Sequence, residues 1–209
     1  MEYLPIIVTV ALVHLLAVMS PGPDFVMVTR NSLVYSRKTG MYSAVGLGFG
    51  ILVHVIYSLI GIGLIISKSI VLFNIIKFLG AAYLIYLGYK SLTSKTARMD
   101  VNHTNHKKDI SKLKALSIGF LTNVLNPKAT FFFLSLFTLV ISPETPLTVK
   151  LFMGLEMSLV TALWFALVAY LVSHRLIKSR LNKMQKYAEK FIGVVLIALG
   201  IKVAFSASK

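Results

Sequence analysis

Residues 20–25 read SPGPDF and follow the apolar run LPIIVTVALVHLLAVM at 4–19. Two prolines, a glycine and an aspartate thus interrupt a segment suited to lipid. Proline lacks an N–H and its ring clashes with the preceding turn, so an apolar helix must bend or stop here. Three readings compete: a helix end at the membrane edge, a signal-peptide cleavage region, or a break built inside the membrane. The fold depends on which one holds.

Composition favours the membrane. Of 209 residues, 56% are hydrophobic and 14% charged, with a mean hydropathy of +0.80. Soluble domains carry roughly 25% charged residues. Six spans are expected, at 4–29, 42–66, 70–89, 115–141, 151–172 and 189–206. Each is near or above the about 20 residues a helix needs to cross hydrocarbon. The first contains Pro21 and Pro23, and the fourth contains Pro127. Cysteine is absent, which excludes disulfides, thiol catalysis and Cys-ligated metal centres. The N-terminal run lacks a basic region, carries Glu2, and meets prolines where a small-residue cleavage motif belongs, so its retention is expected.

The net charge is +15, and its position matters more than its size. Arg30, Arg37 and Lys38 follow span 1. Lys90, Lys95, Arg98, Lys107, Lys108, Lys112 and Lys114 follow span 3, and Arg175, Lys178, Arg180, Lys183, Lys186 and Lys190 follow span 5. The opposite side holds only Lys68, Lys150, Lys202 and Lys209. The positive-inside bias assigns the rich side to the cytoplasm and both termini to the outside. The charge is then a topology signal, and a nucleic-acid partner is not expected. Residues 91–114 are polar, basic and without apolar periodicity, which reads as a flexible cytoplasmic linker between units 1–90 and 115–209. Residues 174–190 read either as an interfacial basic helix or as a solvated basic loop.

The two units share a pattern. Lys77-Phe78-Leu79-Gly80 and Leu87-Gly88-Tyr89-Lys90 are answered by Lys190-Phe191-Ile192-Gly193 and Leu199-Gly200-Ile201-Lys202. Pro21 is answered by Pro127, and Gly46 by Gly154. Two copies of three spans each must enter the membrane from opposite sides. The expected fold is therefore an all-α polytopic membrane protein of six transmembrane helices, arranged as two inverted three-helix repeats with helices 1 and 4 broken at proline motifs. Such repeats are a transporter architecture, with the site near midplane at the broken helices.

The breaks carry the candidate site. Ser20 is expected to cap a new half-helix with Pro21 at its first position and Asp24 in its first turn. Asn126, Pro127 and Lys128 are expected to play the same parts in the second unit. Half-helix N-termini direct N–H groups at anions, carboxylates included. Asp24 is the sharpest residue, because an aspartate at a helix centre costs about 2.5–3.5 kcal/mol on insertion scales. Lys128 opposes the dipole of its own helix and needs an anion or a route to water. Glu156 is the second intramembrane acid, with a wet interfacial position as the plainer reading. His14 and His54 read first as hydrogen-bonded core histidines, His103 and His106 as solvated loop, and Gly46, Gly48 and Gly50 as a close-packing face. No phosphate loop or catalytic triad is present, so neither an enzyme nor a cofactor is expected.

SPGPDFVMVTRNSLVYSRKTG (20–40), the glycines of AVGLGFG (44–50), GFLTNVLNPKATFFF (119–133) and LGIK (199–202) resemble the LysE/RhtB family of amino-acid exporters over nearly the whole chain. AVMSPGPDF behind Val13-His14, and the stretch from Glu156 to Trp164, look most like its threonine/homoserine efflux branch. The resemblance implies a secondary exporter in the bacterial inner membrane, moving amino acids or close derivatives outward on the proton gradient. The family motifs fall here on Ser20, Pro21, Gly22, Pro23 and Asp24 and on Asn123, Asn126, Pro127 and Lys128. The expected partners are a small amino-acid substrate, protons and the lipid bilayer, with homo-oligomer formation left open. In the mechanism these residues suggest, half-helix N-termini and Lys128 hold a substrate carboxylate, while Asp24 holds the ammonium, the coupling proton or each in turn. A divalent-cation exporter of related architecture is the alternative.

Overall fold

The computed structural model describes residues 2–68, 70–93, 108–139, 144–173, 190–191, 193–198, 200–201 and 204–205. Seven helices are bounded among them: α1 (Leu4–Met19), α2 (Pro23–Val34), α3 (Arg37–Lys68), α4 (Ile70–Thr93), α5 (Lys112–Val124), α6 (Pro127–Leu139) and α7 (Leu147–Val172). The described residues within 190–201 are also helical, and no strand occurs among the described residues. The protein is all-α, as its composition implies.

The first break behaves as expected in kind but not in register. Helix α1 ends at Met19 and α2 begins at Pro23, with a 56° bend between them. Gly22, not Ser20, is the N-cap of α2, and no side chain caps it. Two adjacent proline effects explain the shift. A residue before proline is pushed out of the α region. Ser20 is therefore extended (φ −67°, ψ 125°) before Pro21, and Gly22 is extended (φ −173°, ψ −167°) before Pro23. Pro21 cannot open a helix whose second residue is barred from helical geometry. Ser20 instead ends α1, and its hydroxyl lies 3.2 Å from that of Ser91 on α4. The second break has one proline and follows the expected register. Asn126 Oδ1 accepts from the Lys128 N–H at 3.0 Å, and Pro127 is the first helical residue.

Other ends move outward. Helix α3 starts at Arg37, where Ser36 Oγ accepts from the Thr39 N–H at 3.2 Å. Ser111 Oγ accepts from the Lys114 N–H at 3.3 Å and opens α5. Helix α4 runs to Thr93, so the expected linker loses both ends to helices. Residues 94–107, with His103 and His106, and most of 174–190 lie outside the described residues.

Among the described residues, Arg37–Gly61 of α3 and α7 are each long and apolar enough to cross a membrane, and the bent pair α1–α2 passes the same test when taken together, which makes up to three spans. Pro127–Phe137 is a shorter apolar helix. Their surfaces suit lipid. Leu151, Leu155, Leu159, Leu163 and Leu167 recur every fourth residue on α7 and are all exposed, as are Leu4, Val8 and Leu12 on α1. Water would not tolerate such stripes, whereas hydrocarbon is indifferent to them. This is a multi-pass membrane protein.

Helix α3 lies between α5 and α7, and its glycines permit this. A Cβ on Gly46 would overlap the Leu116 carbonyl of α5, and one on Gly119 of α5 would overlap the Ser43 carbonyl of α3. Gly48 faces α7, where Ser158 Oγ donates to the Gly48 carbonyl at 2.8 Å. Val10, Val13, Ile51, Phe133, Phe137, Met153 and Met157 close one core around α1, α3, α6 and α7. Phe25, Val28, Leu47, Phe165 and Val168 close another around α2, α3 and α7. Farther out, Gly88 of α4 backs onto Gly193, while Gly200 backs onto Ala81 and Ile85, so these two stretches run antiparallel.

The same substitution should have opposite signs at two of these glycines. Gly119→Ala forces overpacking, for which about 1–3 kcal/mol of destabilisation is expected. Gly61 has open space around its Cβ direction, so Gly61→Ala should stabilise α3 by up to about 1 kcal/mol. Thermal unfolding in detergent reads both.

Candidate functional site

Each proline break deprives a backbone carbonyl of its helical donor. The residue four positions before a proline has no N–H to accept from. For Pro21 that residue is Ala17, and for Pro127 it is Asn123. Both carbonyls are met by side chains from other helices. Lys128 Nζ donates to the Ala17 carbonyl at 3.3 Å and to the Ser20 carbonyl at 2.7 Å. His54 Nε2 lies 2.9 Å from the Asn123 carbonyl, which also accepts from the Asn126 N–H at 2.9 Å. The anion that Lys128 requires is thus the negative end of α1.

The His54 contact fixes its tautomer. A carbonyl only accepts, so Nε2 carries the hydrogen and Nδ1 accepts from the Tyr57 hydroxyl at 2.6 Å. The Tyr57 hydroxyl also lies 3.4 Å from the Thr130 carbonyl in the second turn of α6. His54 stacks on Phe133, with ring centroids 5.4 Å apart and planes inclined by 13°.

A cavity of about 440 Å³, mouth included, opens where the breaks meet. Gly22, Asp24 and Phe25 from the first turn of α2 line it, as do Asn126, Lys128 and Ala129 from the start of α6. First-turn N–H groups have no intrahelical partner. Asp24 is half-buried; its Oδ2 accepts from Asn123 Nδ2 at 2.9 Å. Its Oδ1 is buried without a hydrogen-bond partner among the described residues. Asp24 and Lys128 both line the cavity. Gly22 packs against Lys128, since a Cβ there would lie 3.3 Å from Lys128 Cδ. The remaining walls are largely apolar, with Ile51, Phe132, Phe133 and Phe165, and include His14 and Thr161.

Of the sequence candidates, Ser20, Gly22, Asp24, Asn123, Asn126 and Lys128 share this cavity. Pro21, Pro23 and Pro127 act through the backbone and do not line it. Glu156 does not line it either; it lies on α7 with Oε2 buried and without a partner among the described residues. Sequence reasoning did not place His14, Thr161 or the phenylalanines at the site. The usable signal was a histidine six residues before the first break. No group of three or more His, Cys, Asp or Glu comes together among the described residues.

Two broken helices facing one charged cavity inside a multi-pass bundle define a membrane transporter. The family is specific: residues 15–207 match the LysE type translocator model, and the chain belongs to that family. It is a transporter and not an enzyme. The uncharacterized membrane protein YrhP of Bacillus subtilis is 32% identical over 196 residues, covering 90% of this chain and 93% of its own. The threonine efflux protein of Escherichia coli is 31% identical over 204 residues, covering 97% of this chain and 99% of its own. That of Salmonella typhimurium is 31% identical over 199 residues, covering 95% and 97%. No solved structure matches the chain.

The carbonyl argument predicts a rescue. His54→Leu should cost about 0.5–1.5 kcal/mol by removing the side-chain hydrogen bond to the Asn123 carbonyl, which keeps the Asn126 N–H. Pro127→Ala restores an N–H at position 127, so in that background the His54→Leu penalty should shrink by at least half. A double-mutant cycle on thermal unfolding measures the coupling; equal penalties in both backgrounds would refute the account.

Proposed function

We propose that this protein exports small amino acids, or close derivatives, from the cytoplasm by proton antiport. The observation that carries this reading is that both half-helix N-termini open on one cavity beside Asp24. An amino acid is a zwitterion, and the cavity offers groups of both signs. The Asp24 and Phe25 N–H groups of α2 and the Ala129 N–H of α6, in the positive field of Lys128, suit its carboxylate. The Oδ1 of Asp24, without a hydrogen-bond partner among the described residues, suits its ammonium. A proton competes for the same carboxylate, so substrate and proton exclude each other there, which is what antiport requires. A divalent cation fits less well, because the ammonium of Lys128 would repel it. The threonine efflux relatives support an amino-acid cargo.

The same reading takes the chain as six spans in two inverted repeats, 1–90 and 115–209, joined by a basic cytoplasmic linker. The antiparallel approach of the Gly88 and Gly193 stretches supports it, since these are the two copies of one motif. The bacterial inner membrane is its place, with basic loops inside and both termini outside.

Two outcomes follow. In inverted vesicles, gradient-driven amino-acid uptake should fall at least about tenfold for Asp24→Asn at equal protein level, the scale of one lost charge-assisted hydrogen bond of about 1.5–3 kcal/mol; undiminished uptake would sink the assigned role. The chain has no cysteine, so Asn105→Cys gives a single label site. An impermeant maleimide should react with it in inverted vesicles and not in intact spheroplasts.

A further inference from the structure

One wall of the cavity carries a polar residue that the reading above does not use. His14 on α1 is 1% exposed and lines the cavity. Its Nε2 lies 3.3 Å from Thr161 Oγ1 on α7, and Thr161 lines the cavity too. Its Nδ1 is buried without a hydrogen-bond partner among the described residues. Phe132 and Phe133 flank the ring, with centroids 6.1 and 5.9 Å away. Packing alone does not explain a histidine here. Phenylalanine would fill the same aromatic corner without an orphaned nitrogen, and buried polar atoms are normally paired.

We infer that His14, held by Thr161, reads the side chain of the cargo and selects amino acids with a hydrogen-bonding atom near Cα over their apolar isosteres. The inference rests on the amino-acid reading of the cavity.

The chemistry of the imidazole supports it. The tautomer does not matter to a hydroxyl. If Nε2 donates to Thr161, Nδ1 is an acceptor; if Nε2 accepts from Thr161, Nδ1 carries the hydrogen. A hydroxyl both donates and accepts, so it satisfies either state. A methyl of the same size satisfies neither and leaves the nitrogen stranded.

Threonine and valine are isosteres that differ in this one group. The test measures uptake of radiolabelled threonine and of radiolabelled valine, separately, in inverted vesicles under an imposed proton gradient. Wild-type protein should favour threonine in transport efficiency by at least about tenfold, since sites built to bond a hydroxyl reject analogues lacking it strongly. In His14→Phe the ratio should fall to within about threefold of unity. Thr161→Val, which removes the ring's anchor, should lower the ratio in the same direction and serves if His14→Phe fails to reach the membrane. A wild-type ratio near unity, or a ratio that survives both substitutions, overturns the inference while leaving amino-acid transport intact. Uptake of neither amino acid, nor of any other tried, overturns the transport reading and this inference with it.

Discussion

The structure depends on a missing hydrogen. Proline has no N–H, so each break leaves a carbonyl inside a membrane protein without its helical partner. A lipid-exposed carbonyl in that state would cost several kcal/mol, of order the penalty for any unpaired polar group in an apolar medium. The chain meets the demand by crossing helices. Lys128 of α6 serves the end of α1, and His54 of α3 serves the end of α5. Each break is therefore completed by a residue of another helix, and the two cannot be assembled independently.

This requirement explains features that otherwise look unrelated. Lys128 opposes its own helix dipole yet matches that of α1, so its position is a compromise resolved by the other helix. His54 must approach α5 closely, which requires small residues where α3 meets α5. Gly46, Gly50 and Gly119 supply them, and Gly50 stands against Asn123 itself, with its Cβ direction 2.7 Å from Asn123 Cβ. The glycine face and the proline break are parts of one arrangement.

Much of this was legible in the sequence, and the failures have physical causes. The all-α class followed from apolar runs too long for anything else. Asn126-Pro127 declared its register because a single proline leaves one place for a helix to start. Ser20 misled because it resembles a cap, while the second proline at Pro23 bars helical geometry at Gly22 and moves the start by two residues. His14 and His54 could not be told apart by sequence, since both stand on apolar faces. Only the structure shows that one has both nitrogens engaged and the other has one without a partner among the described residues.

Asn123 joins the two halves of the arrangement. Its carbonyl is the one orphaned by Pro127 and held by His54, and its side-chain amide donates to Asp24. The acid in the first break is thus tied to the backbone of the second through a single residue. In the proposed reading the ammonium or proton takes Oδ1, so Asp24 stays tethered through Oδ2 to Asn123 while it is occupied. Charge at Asp24 and contact between α5 and α3 therefore meet at one residue, with no long relay needed between the cargo and the helices that surround it.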